Sequence, residues 1–176
     1  MRNNVGWALV FLLGMGCVHR QDLPAPTVAS HVELSRFMGD WHVIASIPVW
    51  IEKDSCNGVE SYRLDEKQRI QTTYTFRKGG FSGPLKTYRP VAIVFNRETN
   101  SEWRMQFIWP FKAAYLIHYV DDAYQTTLVG EPTLRHVWIM ARTPQISDNA
   151  YQAIVARAAA LGYDTTKLRL VPQKWP

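Results

Sequence analysis

The sequence predicts an all-β domain with one late helix. Three observations carry that prediction: a series of short β-branched and aromatic runs, turn residues separating them at regular intervals, and a single helical stripe near the C-terminus. Strands are expected near 41–47, 58–64, 69–76, 87–95, 102–108, 114–120, 124–130 and 136–142. Gly79-Gly80, the segment from Asn96 to Asn100, Asp121-Asp122 and Gly130-Glu131-Pro132 supply the turn chemistry between several of them. Pro90 falls inside one run, so a bulge or a strand start is expected there, because proline cannot donate to a ladder. Ser147 then offers a helix N-cap, with Asp148 favourable beside the helix dipole. Ala150, Ile154, Ala158 and Leu161 recur at helical spacing, and Gly162 suits the position just past the helix end. A last short strand is expected near 166–171, with Leu168 and Leu170. There is no internal repeat. On pattern alone, a closed barrel and a sandwich with an appended helix both remain open.

Composition narrows the function. A chain of 176 residues with 47% hydrophobic content supports one packed domain and argues against general disorder. The formal charge is +5, yet no dense Lys/Arg cluster appears, so nucleic acid is not an expected partner. No His/Cys/Asp cluster surrounds any histidine, and neither a phosphate loop nor a nucleophile elbow is present. The pattern therefore calls for no cofactor, metal or catalytic group. Cys56, placed by the strand reading on the loop after the first strand, has no positioned histidine to activate it.

The N-terminus reads as an address. Arg2 precedes an apolar run from Val5 to Leu13, then Gly14-Met15-Gly16-Cys17. That order describes a signal peptide, and the run is too short for a comfortable membrane span of about 20 residues. A cysteine directly after small residues resembles a bacterial lipoprotein signal, although Gly14 stands where leucine is usual. The implied organisation is a signal peptide over 1–16, an acylated tether over 17–32 with Cys17 lipidated, and a folded domain over 33–176. Val18 and His19 follow the cysteine in place of an inner-membrane retention aspartate, so the resemblance implies a periplasm-facing anchor on the outer membrane.

Three segments, in order, resemble the lipocalin signatures. Gly39-Asp40-Trp41 is similar to the first, at the start of the first strand. The segment from Asp121 through Tyr124 to Val129 is similar to the second, with Ala123 where aspartate is usual. Trp138-Ile139-Met140-Ala141-Arg142 is similar to the third, followed by the helix. The resemblance is strongest to bacterial outer-membrane lipocalins and spans roughly 33–173. It implies an eight-stranded antiparallel up-and-down barrel, a calyx, with the helix packed outside and a short final strand. It also implies structural roles for Gly39, Trp41, Tyr124 and Arg142, with the arginine lying over the indole face.

Alternation along strands then yields a lining. With Trp41 inward by resemblance, Val43 and Ala45 follow. Arg142 sets Met140, Trp138 and His136 inward. Tyr124 sets Thr126 and Leu128, and the parity carried across the turn gives Tyr115, Ile117 and Tyr119. Counting the meander from a closed end at Trp41 puts the 109–111 turn at the open end, where Phe111 and Lys112 would flank ligand entry. The family resemblance implies a carrier of a fatty acid or lysophospholipid that supports membrane maintenance under stress. A homodimer is left open. A lipocalin-fold enzyme of isomerase type and a haem or tetrapyrrole carrier using His136 are the alternatives.

Overall fold

The computed structural model describes residues 27–175; the leader, Cys17 and most of the tether lie outside them. The strands are β1 (Gly39–Ile47), β2 (Ser55–Leu64), β3 (Ile70–Lys78), β4 (Leu85–Tyr88), β5 (Val91–Asn96), β6 (Glu102–Ile108), β7 (Phe111–Val120), β8 (Thr126–Gly130), β9 (Val137–Ala141) and β10 (Arg169–Leu170). All pairings are antiparallel, running β1-β2-β3-β5-β6-β7-β8-β9, and β1 pairs again with β9. That last ladder closes the sheet on itself and decides between the two architectures: the molecule is an eight-stranded barrel without a free edge in its wall. β4 and β10 are additions, β4 pairing β3 and β10 pairing β1.

The run expected over 87–95 is divided at Arg89-Pro90 into β4 and β5. Proline has no N–H to give the ladder, and its carbonyl instead accepts from the Thr72 amide at 3.1 Å. A four-residue helix α1 (Leu34–Phe37), too short to leave a periodic signal, delivers Phe37 to one end of the barrel. Helix α2 (Asp148–Ala160) begins where the cap chemistry places it, with Ser147 Oγ accepting from the Ala150 amide at 3.3 Å. Gly162 follows with φ +96°, a conformation that favours glycine.

Two apolar clusters result. One fills the lower barrel around Phe37, Trp41, Val43, Trp103, Ile117 and Met140. The other lies between the outer face of the wall and α2, where Ile154 and Ala158 meet Ile44, Ala45, Leu128 and Ile139. Bulges decide which cluster a residue joins. β1 shifts register between Val43 and Ala45, and β7 between Ile117 and Tyr119. Each extra residue inverts the alternation beyond it.

Candidate functional site

The closed end is built first. Trp41 is fully buried, packs on Phe37 at 5.0 Å between ring centroids, and donates its indole N–H to the Phe37 carbonyl at 2.8 Å. Arg142 lies over the indole at 3.8 Å and donates to the carbonyls of Asp40, Arg36 and Met38 at 2.8, 2.6 and 2.9 Å. Gly39 adopts φ +93°, and a Cβ there would meet the arginine Nη1 at 3.4 Å. Tyr124 occupies a turn at φ +57°; its hydroxyl accepts from the Glu33 amide, and Arg36 stacks on its ring at 4.2 Å. α1 is thereby fastened across the barrel floor.

Above that floor is a cavity of about 560 Å³. Its mouth is bordered by Val49 and Ile51 before β2, by Phe107 and Ala113 beside the β6–β7 hairpin, and by Pro132 and Thr133 before β9. Beside the mouth the hairpin is strongly apolar and exposed: Phe107 is 58% accessible, Ile108 72%, Trp109 82% and Phe111 77%. A second cleft, about 810 Å³, opens outside the wall between β10 and the start of β2. Its lining mixes Lys53, Asp54 and Arg169 with Pro48, Leu170 and Val171, Glu52 borders both it and the barrel cavity, and Cys56 is buried against it on β2, in the strand and not on the preceding loop.

The expected lining residues divide. Tyr115, His136 and Trp138 line the cavity. Val43, Ile117 and Met140 point into the barrel but are packed in the floor cluster. Ala45, Tyr119 and Leu128 face α2 instead, and this corrects the expectation. The bulges account for Ala45 and Tyr119. Leu128 and Thr126 are displaced because Tyr124 sits in a left-handed turn before β8 begins, so its direction does not propagate along the strand. Thr127 and Val129 pair with Met140 and Trp138 and are the inward residues of β8, while Thr126 bonds to Asp121. Phe111 and Lys112 sit on the exposed hairpin at the mouth, outside the cavity lining.

The acidic groups inside the cavity were not foreseen. Glu60 and Tyr62 are both inward on β2, since Trp41 is directly opposite Glu60. Tyr62 donates to Glu60 Oε2 and shares a hydrogen bond with the Tyr115 hydroxyl. Glu52, in the 3-10 turn Trp50–Glu52, accepts from the Trp138 indole N–H at 3.1 Å. Burial pushes both carboxyls up to about 7, and for Glu60 the nearby charge of Glu52 raises it further. The same burial raises the Tyr62, Tyr74 and Tyr115 hydroxyls. The available signal was the inward Trp41, but extending it to Glu60 requires the β1–β2 register, which no turn fixes because the connection holds a 3-10 segment.

The geometry has counterparts. Residues 32–173 match the family model described as a lipocalin-like domain. Temperature-induced lipocalin-1 of Arabidopsis thaliana is 29% identical over 160 residues, covering 83% of this chain and 82% of that protein. Outer membrane lipoprotein Blc of Escherichia coli K12 is 28% identical over 158 residues, covering 84% of this chain and 82% of Blc. Among solved structures, insecticyanin from the tobacco hornworm Manduca sexta superposes with a TM-score of 0.67 at 16% identity, covering 87% of this chain and 86% of that one.

Proposed function

The chain belongs to the lipocalin family, and from that membership we propose that it is a carrier of single-chain lipid, a fatty acid or lysophospholipid, tethered by an acylated Cys17 to the outer membrane. The tether reading rests on the Gly14-Met15-Gly16-Cys17 sequence and on the similarity to a relative named as an outer membrane lipoprotein. The observation that carries the binding reading is the 560 Å³ cavity with its mouth beside an exposed apolar hairpin. A cavity of this volume, mostly apolar and edged by a few polar groups, suits a small amphiphile. The hairpin gives an acyl chain leaving a bilayer an apolar surface continuous with the cavity, since Phe107 belongs to both. Tethering keeps that mouth at high effective concentration beside the lipid. The interior carries glutamates and no Lys or Arg among its described lining residues, so an anionic head group is expected to remain at the rim near Lys112.

The experiment is native mass spectrometry on protein purified from its host membrane, alongside Ala113→Trp, which places an indole in the mouth. A co-purifying single-chain lipid in wild type, absent from Ala113→Trp, is the expected result. An empty wild-type protein that also fails to displace a bound dye with oleate would overturn it.

A further inference from the structure

The cavity has a charge character opposite to that of the chain as a whole. The protein is formally +5, yet the described residues lining the cavity include Glu52, Glu60 and Glu131 and no Lys or Arg. Glu131, at the mouth, is occupied by its own loop, accepting from Thr133, Arg135 and His136. Glu52 and Glu60 are different. Each lies more than nine-tenths buried, and Tyr62 reaches only Oε2 of Glu60, which leaves Oε1 without a hydrogen-bond donor among the described residues. Tyr74, Tyr115 and Trp138 stand around the two carboxyls on the cavity wall. Thr72, opposite Tyr62 on β3, is 3% exposed and lines the same cavity, and its hydroxyl has no partner among the described residues. A buried carboxyl pair, aromatic faces and an unpaired hydroxyl are what an ammonium group requires: negative charge, ring quadrupoles and a spare acceptor.

Resting on the carrier reading, we propose that this acidic side of the cavity, from the β1–β2 turn to Glu60, is a receptor for the ammonium group of a cationic single-chain amphiphile, whose chain lies along the apolar wall of Met105, Phe107 and Ala113. Glu52 and Glu60 supply the counter-charge. Tyr74, Tyr115 and Trp138 supply the faces that favour a cation stripped of water. The unpaired Thr72 hydroxyl takes an N–H when the ammonium carries one. Acidification weakens such binding, because protonating Glu52 and Glu60 removes the attraction; His136 is the imidazole on the same lining. Tyr62, Tyr74 and Tyr115 stay neutral throughout, and Glu131 keeps its negative charge at the mouth.

The test compares ligands of one chain length by displacement of N-phenyl-1-naphthylamine: dodecyltrimethylammonium, dodecanol and dodecanoate, each below its micelle concentration. Dodecyltrimethylammonium is expected to bind about tenfold more tightly than either other ligand at pH 8, and to lose that advantage at pH 5. Glu52→Gln/Glu60→Gln should abolish the preference and leave dodecanol unchanged, with near-UV circular dichroism reporting intact packing. Equal affinity for the three ligands overturns the proposal. So does a preference that survives in the double variant, since the cation would then bind elsewhere. Dodecanol binding without ammonium preference defeats this inference alone, whereas displacement by none of the three defeats the carrier reading with it.

Discussion

The guanidinium of Arg142 serves three purposes at once: it covers Trp41, donates to carbonyls of Arg36, Met38 and Asp40, and fixes α1 to the barrel floor. Trp41→Ala should cost roughly 3–5 kcal/mol, the range for deleting a large buried ring. Arg142→Ala removes a partly buried cation–π contact worth about 2 kcal/mol together with its hydrogen bonds. Because the two side chains touch, a double-mutant cycle in urea should show the pair losing less than the sum; strictly additive losses would rule out the coupling. Glu52 and Glu60 give a second residue-scale expectation. Their folded pKa values, about 7, lie above the ordinary carboxylate value of 4.5. Stability from the protonated form is therefore complete below about pH 4.5, declines between 4.5 and 7, and is gone above 7. The loss is on the order of 3 kcal/mol for each carboxyl. Melting temperature should fall from pH 5 to pH 8, and Glu52→Gln/Glu60→Gln should flatten that slope. A melting temperature that rises over this interval in wild type, falling back in the variant, would contradict the burial argument.

At the scale of elements, the β6–β7 hairpin makes the sharpest prediction. Its apolar side chains are exposed, so changing them has little folding cost. Phe111→Asp should weaken oleate binding with no measurable change in unfolding midpoint. Lys112→Glu should weaken anionic ligands more than neutral ones, and added salt should narrow the gap. Oleate titrations matching wild type for both variants would place entry elsewhere. The elements themselves were legible because strand runs, turn residues and the Ser147 cap are local signals. Orientation along them was legible only where no bulge intervenes. Arg142 anchors β9 correctly through Met140, Trp138 and His136, because that strand is regular. Val43 and Ala45 are separated by a register shift, and Tyr124 belongs to a turn, so parity read from either neighbour carries no further. α1 and the 3-10 turn holding Glu52 were invisible, being three or four residues long and held by tertiary contacts.

At the scale of the whole molecule, the barrel is closed by the β1–β9 ladder and covered on one side by the outer helix, all within the described residues 27–175. The proposed anchor lies in the segment that precedes it. Cys17→Ser should leave the folded domain's melting temperature unchanged while moving the protein out of the membrane fraction or leaving it unprocessed. Mature mobility together with membrane retention would refute lipidation. The sealed floor of Phe37, Trp41 and Trp103 has a kinetic consequence. A vessel with one doorway cannot be loaded from one side while it empties from the other. An incoming molecule has to wait for the occupant to leave, so exchange proceeds through the empty protein. On the proposed carrier reading, the departure rate then sets a ceiling on delivery that no excess of acceptor can raise: a reservoir with a fixed leak and not a conduit.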